Sequence, residues 1–400
     1  MANLRQIFLS RVAQTSDAPL LLEIEKAEGI YLYDTDGKSY IDLISGIAVS
    51  SLGHCHPAVV RAIKDQADKY LHTIVYGEYV LSPQVKLADL LTSKLPENLN
   101  CVYFVNSGSE ATEGAMKLAK RYTGRPEIVS CFDAYHGSTQ GSASLMSDSY
   151  FTQPYHPLLP GIKHIHFNEP KDLEIITKQT ACVIIETVRA ESGIHVPEND
   201  YLKKLRARCN ETGTLLVFDE IQVGYGRTGS LFAFEQYDVV PDILLLAKGM
   251  GGGMPIGAFV ADQKIMSVLS HNPVLGHITT FGGHPVCCAA ALATLETIVE
   301  STLLEDMPAK SELLKELLVH PLIKEVRGLG LFMAIDLGST DLVMKTIAIC
   351  KREGLITDWF LFNDRCLRVA PPLVITAAEI RKACSIILAA LDDQSLQKTS

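Results

Sequence analysis

Six short apolar runs constrain this chain most: residues 101–105, 127–132, 182–187, 214–219, 242–247 and 256–261. Helical patterns stand between them, 110–122 and 200–212 being the clearest. Alternation of this kind is the signature of an α/β fold with a mostly parallel central sheet. Four hundred residues, 47% of them hydrophobic, are ample for a large core and suit two lobes. Upstream, 29–40 reads as a hairpin around the Asp36-Gly37 turn. Downstream of Ala290 come long helices, then strand candidates 326–336 and 366–369, as expected of a smaller α+β lobe. The expected division is 1–50 as an N-terminal segment joining the small lobe, 51–290 as the large domain and 291–400 as the C-terminal small domain.

Charge and cysteine usage narrow the partners. The net charge is −10 with no Lys/Arg cluster, which argues against nucleic acid and anionic membranes. No stretch approaches the ~20 apolar residues of a membrane span, and residues 1–10 lack the apolar core of a signal peptide. Ten cysteines without a Cys-x-x-Cys pair read as reduced core thiols. The expectation is a soluble cytoplasmic protein.

Lys248 closes the run Asp242-Ile-Leu-Leu-Leu-Ala and is followed by Gly249-Met-Gly-Gly-Gly253-Met-Pro-Ile-Gly257. A lysine at the end of a buried strand is costly to keep charged and is readily turned into a neutral nucleophile. That is the usual setting for a Schiff base with an aldehyde cofactor, whereas a surface lysine after an edge strand is the plainer alternative. Leu215-Leu-Val-Phe-Asp219-Glu220 ends a second buried strand on two acids. Asp219 at that position either points into a ligand crevice, where a protonated ring nitrogen would balance it, or bonds backbone N–H groups as a structural residue. Ser107-Gly108-Ser109-Glu110 stands where a strand becomes a helix. Ser107 and Glu110 fit a capping box, and the same helix start offers free N–H groups to a phosphate.

Three motifs invite readings that their context rejects. Gly224-Tyr-Gly226-Arg-Thr-Gly229 matches G-x-G-x-x-G, but no clear amphipathic helix follows. Gly37-Lys38-Ser39 lacks the leading glycine of a phosphate loop. Gly53-His54-Cys55-His56-Pro57 is a turn with packed histidines rather than a metal site, because adjacent side chains seldom converge on one ion; no metal is expected.

With the Ser107–Ser109 turn, Asp219 and Lys248 in this order, the chain resembles the class III, fold type I, pyridoxal-phosphate-dependent aminotransferases, particularly the acetylornithine/ornithine group. The likeness runs from Asp34-Thr-Asp-Gly37 to Arg368-Val-Ala-Pro-Pro-Leu373. It includes Asp219-Glu-Ile-Gln222-Val-Gly-Tyr-Gly-Arg-Thr-Gly229 and Thr280-Phe-Gly-Gly-His-Pro285. It implies pyridoxal 5'-phosphate as cofactor, held by Lys248, which also moves the proton once substrate frees it. Asp219 then pairs with the pyridine nitrogen and Gln222 lies near the ring hydroxyl. Ser107, Gly108 and Ser109 cradle the phosphate, joined by Thr280 from the second subunit of a homodimer. Tyr135 stacks on the ring, and His136 and Glu186 complete its surroundings. On the substrate side, the resemblance places Ile47 in the pocket wall, Arg368 on the α-carboxylate of glutamate or 2-oxoglutarate, and Glu191 as the carboxylate that masks Arg368 when an ω-amino donor is bound.

Three departures bear on the substrate, one being His284 in place of the group's common asparagine. Ser138 stands where the group usually has an arginine for the donor's distal carboxylate, and Arg189 interrupts the usual Glu-Pro-x-Gln-Gly pattern after Glu186. Either Arg189 takes over that contact, or it pairs outside the pocket and the donor lacks the carboxylate. The resemblance thus implies transfer from an ω-amino acid or amine to 2-oxoglutarate by a ping-pong route. An amine:pyruvate aminotransferase is the runner-up, ahead of an aminomutase or a non-catalytic cofactor-binding protein.

Overall fold

Seven strands form the central sheet of the computed structural model, which describes residues 3–398. In chain order they are β1 Cys101–Val105, β2 Glu127–Cys131, β3 Ile162–Ile165, β4 Thr180–Glu186, β5 Leu215–Asp219, β6 Ile243–Leu246 and β7 Gly257–Ala261. Their spatial order is β1-β7-β6-β5-β4-β2-β3. Pairings from β6 through to β3 are parallel, and β7 lies antiparallel between β1 and β6. The fold is α/β with a mostly parallel sheet, and each of the six apolar runs holds a strand. β3 was not among them. It lies on the sheet edge and carries Lys163 and His164 within four residues, so it makes no apolar run.

Every residue of β4, β5, β6 and β7 is buried. Side chains alternate between two clusters: Leu216, Phe218, Leu244 and Leu246 enter one, Val217, Ile243 and Leu245 the other. That two-sided burial is why these strands read as continuous apolar runs. Fully burying one such leucine or isoleucine contributes about 1.5–3 kcal/mol. Helix Gly108–Thr123 covers one face, while Pro57–Ala67, Ser82–Ser93 and Pro285–Glu300 pack together on the other.

A third cluster joins Ile30, Ile41 and Leu43 to residues beyond 300. Strand Leu355–Ile356 extends the N-terminal hairpin (Tyr31–Asp34 and Ser39–Asp42) by pairing parallel to Ser39–Asp42. The expected strand 326–336 is instead two strands, Glu325–Leu329 and Phe332–Asp336. Gly330 turns between them at φ +62°, and a Cβ there would lie 2.6 Å from backbone of Arg227 and Thr228, so the chain reverses where only glycine fits. Strand Asn363–Val369 pairs with Phe332–Asp336, and Trp359–Phe360 completes that sheet. Among the described residues no single helix is long and apolar enough to cross a membrane. All ten cysteines are free, and eight are buried.

Candidate active site

The carboxyl ends of β4, β5 and β6 are neighbours, and each delivers one functional group. Glu186 ends β4 in register with Asp219 at the end of β5, and Lys248 follows β6. All three line a cleft of about 670 Å³ outside the strand ends, where open α/β sheets bind ligands. Lys248 has φ +47°, a conformation that costs about 1–3 kcal/mol in a non-glycine residue and marks positions the surrounding fold over-determines. Burial lowers its pKa to about 8, with Glu191 pulling the other way. Its Nζ makes no hydrogen bond or ion pair among the described residues.

Asp219 is fixed from two sides. Oδ1 accepts the Ile221 N–H at 2.9 Å, and Oδ2 lies 2.7 Å from Nδ1 of the buried His136. Glu220 points elsewhere, accepting N–H bonds from Ala233 and Phe234 and the hydroxyl of Thr187, and burial raises its pKa to about 8. The two consecutive acids therefore divide into one site residue and one structural residue. Burial, reinforced by Asp219 and Glu191, pushes Glu186 well above the usual carboxylate range.

Opposite lies a cup of hydroxyls. Ser107 caps helix Gly108–Thr123 by accepting the Glu110 N–H, but Glu110 reaches back to Asn106 N and Nδ2 rather than to Ser107. The expected capping box is thus shifted by one residue on its return arm. Ser109 Oγ lies 2.8 Å from Ser142 Oγ and 3.1 Å from Thr139 Oγ1. A Cβ on Gly137 would fall 2.1 Å from Ser109 Oγ, so only glycine allows the loop this close to the helix start. Glu113 pins the loop by accepting from Thr139, Gly141 and Ser142. Tyr135 lines the same cleft, its hydroxyl 2.8 Å from Ser138 Oγ.

Off the cleft lining, joined to it through Gln222, stands a buried ion pair, the gate. Glu191 accepts from Arg368 Nη1 at 3.1 Å and Nη2 at 2.9 Å, a bidentate pair whose side chains are 7% and 4% exposed. Gln222 Nε2 and the Leu361 N–H also donate to Glu191. Burial opposes the Glu191 carboxylate, yet Arg368 and Lys248 together hold its pKa below the ordinary value. Gln222 therefore touches both the cleft wall and the gate.

Not every expected residue reaches the cleft. Arg189 lies outside its lining: Nε donates to Ser192 Oγ, Nη1 reaches Phe132 O at 3.4 Å, and the guanidinium sits over the Phe167 ring. Its backbone forms the short β-bridge to His195, and its side chain lies off the lining that Ser138 joins. Ile47 is half-buried off the lining, because Ser45, Gly46, Ile47 and Ala48 form a left-handed turn that presents Val49 instead. Asp42 anchors that turn by accepting from Ile44 N, Ser45 N and His54. Thr280 is exposed and away from the cup of its own chain. Thr139, Asn106 and Asp358, which the sequence reading did not single out, belong to the cup and the gate. Residues 221–230 are turns rather than the start of a helix, as the rejected G-x-G-x-x-G reading requires.

The residues fit a phosphate-bearing pyridine aldehyde. A helix start with hydroxyls receives the phosphate, Asp219 accepts a ring N–H, and Lys248 offers its amine. His136 Nε2, Glu186 Oε2 and Gln222 Oε1 are buried without partners, the orphaned polar atoms that a bound group satisfies.

The family described as Aminotransferase class-III matches residues 12–391. An acetylornithine aminotransferase of Methanocaldococcus jannaschii is 41% identical over 372 residues, covering 89% of each chain. Another, from Methanopyrus kandleri, is 39% identical and covers 91% of this chain and 92% of its own length. Among solved structures, the ornithine aminotransferase of Toxoplasma gondii superposes with a TM-score of 0.91 at 28% identity, covering 98% of this chain and 94% of its own. A transaminase from a marine Virgibacillus gives 0.92 at 27%, covering 98% and 99%.

Proposed function

The chain belongs to the class-III aminotransferases, and we propose that it moves an amino group from an ω-amino acid or amine, of acetylornithine or ornithine type, to 2-oxoglutarate by ping-pong exchange. The cofactor of this family is pyridoxal 5'-phosphate; bound through Lys248, it supplies the electron sink. Asp219, oriented by His136, holds the proton on the ring nitrogen. Ser107, Gly108, Ser109 and Thr139 take the phosphate at the helix start, and Thr280 of the partner subunit completes that cup. Tyr135 would cover the ring, and Gln222, whose Oε1 has no partner, would take its hydroxyl. Lys248, released by substrate, carries the proton with Nζ, and its pKa of about 8 suits that task near neutral pH.

The observation that carries the acceptor assignment is the buried bidentate pair Arg368–Glu191. An arginine fork matches a carboxylate in two parallel bonds. Glu191 occupies it for an uncharged donor chain and yields it to the α-carboxylate of glutamate or 2-oxoglutarate. The dimer reading draws support from exposed Leu275, Ile278 and Phe281 near Thr280 in the chain, with exposed Leu71 joined to them by the His72–Phe281 contact.

Ser138 favours a second reading. Its hydroxyl pairs with Tyr135 and Arg189 lies outside the lining, so that wall offers a distal carboxylate no arginine. An amine or ω-amino acid:pyruvate exchange follows. A panel of donors against both 2-oxo acids, read by loss of the cofactor's visible band, separates the two. The first reading expects 2-oxoglutarate to outcompete pyruvate; the reverse result installs the second.

A further inference from the structure

Arg368 is held by two carboxylates, and the exchange just described uses only one. Glu191 takes the two Nη groups, while Asp358 Oδ1 forms an ion pair with Nε at 3.0 Å, without the alignment of a hydrogen bond. Asp358 is tied to Arg368 by backbone as well: Arg368 N–H donates to Asp358 O at 2.8 Å, and Thr357 Oγ1 donates to Arg368 O at 2.6 Å. The ring of Phe360 lies under the guanidinium at 4.6 Å, and Nη2 donates to Trp359 O. The base, one edge and one face of the arginine are thereby held by a short segment that Glu191 does not belong to.

We propose that Asp358 is a positioning residue that acts through Arg368: it holds the Nε edge so that Nη1 and Nη2 stay aimed when Glu191 gives them up to a substrate carboxylate. This rests on the reading that Arg368 grips the acceptor's carboxylate. When Glu191 leaves, Arg368 loses both bonds of its bidentate pair. Without Asp358, only a backbone carbonyl and a ring face would then hold a long, flexible side chain. With it, the buried cation is never left without a counter-charge, the situation that makes a broken buried pair so costly. A carboxylate that is only 22% exposed is itself costly to keep there. Three charged groups act on it: Arg368 attracts it, Glu191 and Asp42 repel it, and burial raises its pKa to about 6. Of these, Arg368 is the one that compensates its burial.

The test uses the pyridoxal-phosphate-loaded protein and glutarate, an unreactive dicarboxylate, with binding followed by calorimetry. Asp358→Ser removes the reach to Nε while keeping a polar group in the segment. Asp358→Asn keeps the shape and removes the charge, and Arg368→Ala serves as reference. Both variants are expected to weaken glutarate about tenfold and to raise KM for 2-oxoglutarate in proportion, with a far smaller fall in kcat. A purely structural loss would instead lower kcat and impair donor and acceptor half-reactions alike. Wild-type glutarate affinity in either Asp358→Ser or Asp358→Asn overturns the proposal while Arg368→Ala still weakens glutarate. If Arg368→Ala leaves glutarate binding intact, the carboxylate-grip reading fails and takes this proposal with it.

Discussion

The cup around Lys248 and Asp219 and the gate around Arg368 lie side by side but are built on opposite principles. In the cup each polar group has one fixed arrangement, set by the ends of parallel strands and the start of a helix. Asp219 is locked by a backbone N–H and by His136, and the hydroxyls of Ser109, Thr139 and Ser142 brace one another. In the gate, two carboxylates share one guanidinium, and Glu191 has Gln222, Leu361 and Lys248 as alternative company. A rigid cup serves chemistry common to both half-reactions. On the proposed exchange, a gate with competing partners serves a pocket that must accept a charged group in one half-reaction and an uncharged chain in the other.

The comparison is sharpened first at Lys248. Lys248→Ala should abolish turnover, a loss of about 10⁴-fold or more, while the protein still binds pyridoxal phosphate through the hydroxyl cup and Asp219. Borohydride trapping followed by peptide mapping should mark Lys248 in the wild type; a label on another lysine would break the assignment. Asp219→Asn, nearly isosteric, should fold normally and lose about a hundredfold or more in rate in both half-reactions, because the ring nitrogen no longer keeps its proton. A variant within about threefold of wild type would remove Asp219 from the rigid half of the comparison.

A smaller effect concerns pH. An ordinary lysine becomes neutral only near pH 10.4, whereas Lys248 does so near about 8. The lowered pKa favours the neutral amine, so the rate of cofactor loading should rise about tenfold per unit as pH climbs toward 8 and then level off. Stopped-flow loading of the cofactor-free protein measures this; a rise continuing to pH 10 would contradict a depressed lysine. The smallest change is expected at Arg189. Because it lies outside the cleft lining, Arg189→Ala should keep kcat/KM within about threefold and cost stability about 1 kcal/mol through its lost bonds to Ser192 and Phe132. A tenfold loss confined to one donor would return Arg189 to the substrate pocket.

The cup was legible in the sequence because its parts are local. A buried strand ending in Asp219 or Lys248, and a serine-glycine-serine turn opening a helix, each announce themselves within a few residues. The gate was legible only through resemblance, since Glu191 and Arg368 are 177 residues apart and nothing in composition joins them. Asp358 escaped altogether: its partner is set by the register of strands Trp359–Phe360 and Asn363–Val369, which no local pattern reveals. The sequence leaves Arg189 open between two readings for a related reason. Its position after Glu186 is close in sequence to the site, but its backbone forms the bridge to His195 and its side chain lies off the cleft lining. The hairpin at Gly330 and the edge strand β3 were hidden by similar tertiary effects, a turn enforced by the backbone of Arg227 and an edge that tolerates charge.

The central claim is that Arg368 and Glu191 work as an exchangeable pair, and single-turnover rates for each half-reaction test it most directly. Removing one partner of a buried pair costs about 3–5 kcal/mol, much of it from the charge left alone. Arg368→Ala should therefore slow the glutarate-like half-reaction, with glutamate or 2-oxoglutarate, far more than the amine-donor half-reaction. Glu191→Ala should do the reverse, leaving a bare arginine where an uncharged chain must sit. Opposite asymmetries in the two variants are the predicted result; equal slowing of both half-reactions in both variants would contradict the gate.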